Sequence, residues 1–158
     1  MTEKPKRKQT RLKDYDYSQN GCYFVTICTY ERQKTLSDVR RGGVQLRPLG
    51  KVIENEIKEL IKRYNIEINQ YIIMPDHIHM IIQINREIQR AEQSPAPTLG
   101  DIICAFKSLT TKIANKTDGC AGRKIWQRNY YEHIIRDEND YKEKLEYIIN
   151  NPLKKELF

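Results

Sequence analysis

The chain has 158 residues, the size of one ordinary domain and enough to bury a core without disulfide staples. It carries 28 Lys and Arg against 21 Asp and Glu, a net charge of +7, which points to a polyanionic partner (DNA, RNA or an acidic membrane) or else to a basic soluble protein with none. A charged N-terminus, no apolar run near the roughly 20 residues of a membrane span, and four cysteines without a CxxC pair (Cys22, Cys28, Cys104, Cys120) predict no signal peptide, no membrane association and reduced thiols in the cytoplasm.

Residues 1–13 hold Lys4, Lys6, Arg7, Lys8, Arg11 and Lys13 against Glu3, and read as a flexible basic arm that lies along phosphates or as a solvated tail. Residues 14–158 are expected to form a single domain. The β-branched and aromatic run from Tyr23 to Thr29 predicts a strand. Residues 30–47 are polar, with Gly42 and Gly43 as turn signals, and suggest no function. Pro48 opens a helix in which Leu49, Val52, Ile53, Ile57, Leu60, Ile61 and Tyr64 share one face.

Residues 66–74 and 77–84 predict two strands, paired as a hairpin through Pro75 and Asp76. Residues 85–97 read as an exposed linker. Thr98 and Asp101 form a capping-box pattern ahead of a helix that places Leu99, Ile102, Ile103, Phe106, Leu109 or Thr110, and Ile113 on one side. Gly119 and Gly122 break the chain. A fourth strand is expected from Tyr130 to Arg136, and Asp137 caps a last helix ending at Asn151-Pro152. The order β-α-β-β-α-β-α predicts an α+β sandwich of ferredoxin-like kind, with helices on a mostly antiparallel four-stranded sheet.

The chemistry concentrates in two places. His77 and His79 sit at i and i+2 on a strand, so they share a face about 6.6 Å apart and can converge on one metal ion. The same spacing also suits two ordinary histidines on a solvated face. On the last helix, Tyr141, Leu145, Ile148 and Ile149 form the apolar side, and Tyr147 lies well away from its centre. Asn151 follows one turn after Tyr147, so a phenol and an amide are offered together; an exposed tyrosine and a helix-terminal Asn fit the spacing as well.

Four stretches carry a resemblance. Tyr71-Ile-Ile-Met-Pro-Asp-His-Ile-His-Met80 resembles the HUH segment, two histidines flanking an apolar residue, of single-tyrosine transposases of the insertion-sequence-200 type. Ile125-Trp-Gln-Arg-Asn-Tyr-Tyr-Glu-His-Ile-Ile-Arg136 and Tyr147-Ile-Ile-Asn-Asn-Pro152 resemble the branch called REP-associated tyrosine transposases, as does Tyr15-Asp-Tyr-Ser18 followed by Tyr23 to Thr29. Their joint order and spacing are more specific than any one block.

The resemblance implies a metal-dependent tyrosine transposase that cleaves and rejoins single-stranded, hairpin-forming DNA with palindromic repeats through a 5′-phosphotyrosine. It implies Tyr147 as nucleophile and His77, His79 and Asn151 as ligands of Mg²⁺ or Mn²⁺, in a monomer or homodimer. Asp76 stands where Asn or Glu is frequent in the family, and the chain stops at Phe158 where many relatives continue. Tyr130, Tyr131 and Tyr141 compete as nucleophiles, and His133 is a third candidate ligand or base. DNA contacts are expected from Lys6, Arg7, Lys8, Arg11, Lys107, Lys112, Arg123, Lys124 and Arg128, with Trp126 stacking on a base or anchoring the core. The alternatives are a non-catalytic single-strand nucleic-acid-binding module of the same shape and a metal-dependent hydrolase that uses an activated water.

Overall fold

The computed structural model describes residues 12–17, 20–85 and 97–156. Alternation along two strands determines its layout. β1 (Gly21–Cys28) and β5 (His77–Ile84) are antiparallel neighbours in the centre of a four-stranded sheet. β4 (Glu67–Ile73) and β6 (Tyr131–Ile135) are its edges, giving the order β4-β5-β1-β6. Every pairing in this sheet is antiparallel, so it is wholly and not merely mostly so.

Successive side chains on a strand point to opposite faces. Tyr23, Val25 and Ile27 of β1 and Ile78, Met80, Ile82 and Ile84 of β5 therefore fall on one face, all fully or almost fully buried. That face is covered by α1 (Pro48–Tyr64), through Ile53, Ile57 and Leu60, and by α2 (Leu99–Asp118), through Ile102, Ile103 and Phe106. Each such side chain contributes about 1.5–3 kcal/mol by leaving water. The expected capping box opens α2: Thr98 Oγ1 accepts from the Asp101 N–H, and the Asp101 carboxylate accepts from the Thr98 N–H at 2.8 Å. Beyond Phe106 the buried positions are Thr110 and Ala114, whereas Ile113 is exposed, because α2 runs past the edge of the core there.

Two features were not expected. Residues 30–47 contain a hairpin of their own, β2 (Ser37–Arg40) and β3 (Gly43–Leu46), so the chain order gains two short strands before α1. Gly42 and Gly43 form its tip with φ of 93° and 132°, a backbone open to glycine and strained for other residues. The hairpin is rooted firmly. The Leu36 N–H donates to Pro75 O, the Ser37 hydroxyl donates to Ile73 O, and a Cβ on Gly50 of α1 would strike the Leu36 carbonyl.

The last helix, α3 (Glu138–Glu156), also runs one turn past Asn151-Pro152. Pro152 lies inside the helix; its missing N–H and the crowding of its ring against the carbonyl four residues back weaken the last turn without ending it. α3 crosses the sheet face opposite α1 and α2, against β4, β5 and the β2–β3 hairpin. Ile148 is its buried anchor; Ile149, expected beside it, is 54% exposed. No helix among the described residues is long and apolar enough to cross a membrane.

Candidate active site

The α3 face of the sheet carries what the other face excludes. Thr26 of β1 lies directly opposite His79 of β5, and Cys28 opposite His77. Both imidazoles are buried, and their ring centroids are 4.6 Å apart. Each is held through Nδ1: His77 by the Asp76 carboxylate at 2.7 Å and His79 by the Thr26 hydroxyl at 2.8 Å. A hydrogen bond at one ring nitrogen fixes the orientation of the ring and turns its Nε2 edge away from that partner. Asp76 thus positions His77.

Tyr147 comes down from α3 onto this pair. Its ring lies edge-on to His79 at 5.2 Å and to Phe24 at 5.9 Å between centroids. It is 44% exposed, so the phenol is reachable from solvent. Between these groups lies an open cleft of about 360 Å³. β1 contributes Phe24, Thr26 and Cys28; β5 contributes His77 and His79; β6 contributes Tyr131; α3 contributes Lys144 and Tyr147; and Arg32 enters from the turn after β1.

That turn is strained. Glu31 and Arg32 have φ of 53° and 55° in succession, a left-handed conformation that costs non-glycine residues about 1–2 kcal/mol each. The surroundings hold it: the Thr29 N–H and hydroxyl both donate to Asp76 O, and the Tyr30 N–H donates to Ile125 O. As a result Arg32 Nε meets the Asp76 carboxylate at 3.2 Å, and Nη1 donates to Cys28 Sγ at 2.8 Å.

The structure brings His77, His79 and Tyr147 together. Asn151 is buried one turn beyond Tyr147 but does not line the cleft. The competing tyrosines separate: Tyr130 is buried, Tyr141 lies outside the cleft, and Tyr131 lines it at 59% exposure. His133 bonds Asp140 at 2.7 Å and does not line the cleft.

The expected DNA contacts divide. Trp126 belongs to the core: it is 8% exposed, packs on Phe106 and donates from Nε1 to Thr110 Oγ1 at 2.8 Å, which rules out base stacking. Lys107, expected to face DNA, is engaged by the carbonyls of Gln127, Arg128 and Asn129, holding the loop before β6. Arg123 is tied to Asn115 and Asp118. Lys112, Lys124 and Arg128 are exposed and lie outside the cleft, while Lys6, Arg7, Lys8 and Arg11 lie outside the described residues.

The cations that do line the cleft, Arg32 and Lys144, were missed. Lys144 was legible as the residue one turn before Tyr147. Arg32 was not, because only the left-handed turn brings it in. No group of three His, Cys, Asp or Glu side chains able to hold a metal ion occurs among the described residues. Two imidazoles with Nδ1 engaged nevertheless suit a divalent ion that takes its remaining ligands from amide, water or phosphate oxygens.

Comparisons with known proteins bear on the family and the fold. The family model described as "Transposase IS200 like" matches residues 18–151. An uncharacterized protein of Haemophilus influenzae is 35% identical over 161 residues, covering 93% of this chain and 88% of that one. A REP-associated tyrosine transposase of Escherichia coli is 26% identical over 139 residues, covering 87% and 70%. A solved REP-associated tyrosine transposase bound to a REP hairpin superposes with a TM-score of 0.65 over 92% of this chain and 74% of that one, at 22% identity, which speaks for the fold.

Proposed function

The chain belongs to the IS200-like transposase family, and from that premise we propose that it cleaves and rejoins single-stranded, hairpin-forming DNA with Tyr147 as the nucleophile. The observation that carries this reading is the placement of Tyr147 against the buried His77–His79 pair in one open cleft. A non-catalytic binder has no need of a phenol aimed at two oriented imidazoles. A hydrolase that activates water has no need of the phenol at all.

His77 and His79 would hold Mg²⁺ or Mn²⁺; Asn151, which does not line the cleft, would join them as a third protein ligand only if its side chain turned toward it. Such an ion, when bound, withdraws charge from a phosphate oxygen and makes phosphorus more electrophilic. The residues of the chain do the rest. Asp76 and Thr26 keep the two rings in register. Phe24 and His79, stacked on each other, both meet the Tyr147 ring edge-on, which narrows the positions its oxygen must search to reach a phosphodiester. Lys144 contributes positive charge beside the phenol as it loses its proton.

Tyr147 Oη forms a bond to phosphorus and the P–O3′ bond breaks. The leaving oxygen takes up a proton and becomes a 3′-hydroxyl, and the 5′ end stays on the enzyme as a phosphotyrosine. A second 3′-hydroxyl then attacks that phosphorus, restores a phosphodiester and releases Tyr147. One ester replaces another at each step, so no nucleotide cofactor is needed.

The test is a denaturing gel of protein with labelled hairpin DNA and Mg²⁺ or Mn²⁺. A covalent protein–DNA band that needs the metal and vanishes in Tyr147→Phe is expected. A band surviving in that variant would move the role to Tyr131, the other tyrosine of the cleft. No band on a wide set of hairpins, despite tight binding, would favour the binding module.

A further inference from the structure

The side chains that line the cleft include two permanent cations, Arg32 and Lys144, and not one carboxylate. A water-filled space so lined favours an anion. Of the two cations, Arg32 is the more firmly placed. Two successive left-handed residues turn it back toward the sheet, against their own backbone preference. Nε is bound to Asp76 and Nη1 to Cys28 Sγ, so the planar group is fixed at two points. Nη2 has no partner among the described residues, and the side chain is 51% exposed.

We propose that Arg32 is a phosphate-binding residue of the cleft: its Nε edge braces Asp76, and through Asp76 the ring of His77, while its outer edge receives one backbone phosphate of the DNA strand. The proposal rests on the DNA-cleaving reading and adds to it a residue that links substrate contact to histidine orientation. A guanidinium suits both tasks at once, because its donors point in several fixed directions in one plane. A brace for Asp76 alone would not require a half-exposed guanidinium among lining side chains that include no carboxylate.

The experiment is a salt titration of binding, in EDTA so that no strand is cut, to a labelled single-stranded DNA hairpin with a 5′ single-stranded extension. Loss of one phosphate contact lowers the slope of log affinity against log salt by about 0.7. Arg32→Gln is expected to show that drop, with about tenfold weaker binding. Asp76→Asn, which removes the brace and leaves the cation, is expected to keep the wild-type slope. Arg32→Lys keeps the charge but not the fork, so it is expected to keep the slope and still bind several-fold more weakly, which covers the case in which Arg32→Gln does not fold.

A wild-type slope in Arg32→Gln would overturn the proposal. So would an equal drop in Asp76→Asn, wild-type affinity in Arg32→Lys, or no binding by the folded wild-type protein. Adduct formation is scored separately, on the same probe with Mn²⁺. Loss of the adduct reading with the Arg32 slope effect intact would sink cleavage and leave the contact standing, and the reverse would do the opposite.

Discussion

On the sheet face that α1 and α2 cover, β1 and β5 contribute the mostly apolar, buried side chains of Tyr23, Val25, Ile27, Ile78, Met80 and Ile82. On the face that α3 crosses, the same two strands contribute Phe24, Thr26, Cys28, His77 and His79 around an open cleft. Stability is gathered on one side and chemistry on the other, with only the thickness of a pleated strand between them. Substitutions on the two faces should therefore separate stability from reaction.

The largest separation is expected from His77→Ala or His79→Ala, which should remove adduct formation by a factor of about 10³ or more and leave thermal stability nearly unchanged. Parallel loss of folding in a melting curve would show that the faces are not independent. The mirror experiment is Ile82→Ala, expected to lower unfolding free energy by about 2–5 kcal/mol in a denaturant titration, while the folded fraction still forms the adduct. Asp76→Asn comes next. It weakens the hold on His77, and a loss of about 10–100-fold in adduct rate or Mn²⁺ affinity is expected.

Thr110→Val takes away the acceptor of the buried Trp126 Nε1 proton. About 1–3 kcal/mol of stability should be lost, with the cleft untouched. The smallest effect belongs to Asp140. The His133 hydrogen bond, aided by the Arg136 N–H, holds its carboxyl below the usual carboxylate range against some burial. A depressed carboxyl contributes stability that is full above the unfolded-state value, about pH 4, and fades as pH falls through the folded value. Asp140→Asn should thus flatten the acid limb of the stability curve by a few tenths of a kcal/mol, since the His133 partner is half exposed and solvent screens such a surface pair.

The strands and helices that alternate or repeat cleanly were legible in the sequence. β5 reads directly from His77, His79 and the isoleucines between and beyond them, and α2 from its cap and spacing. The β2–β3 hairpin was not, because four-residue strands with charged members such as Asp38 and Arg40 leave only their Gly42-Gly43 turn as a signal. On α3, Ile149 misled because apolar identity does not say which way a short stripe is rolled. Ile148 and Asn151 are the buried side chains among the described residues of α3, and that roll is what presents Tyr147. Spacing singled out His77, His79 and Tyr147 but left an ordinary reading of each open, and it was the resemblance that implied their roles. Thr26 needed the strand register, and Arg32 needed a backbone conformation that no residue in that turn announces.

The one-to-one register of β1 against β5 has a consequence for how such a chain can change. Removing or adding a single residue within either strand would rotate every later side chain to the opposite face, sending histidines into the oil and isoleucines into the cleft. Loss of the site by that route is loss of the protein. Descendants that keep the scaffold but abandon the reaction must therefore do so by exchange of individual side chains, with the length of 77–84 preserved, and a lineage read in that way would record when the chemistry stopped mattering while the fold still did.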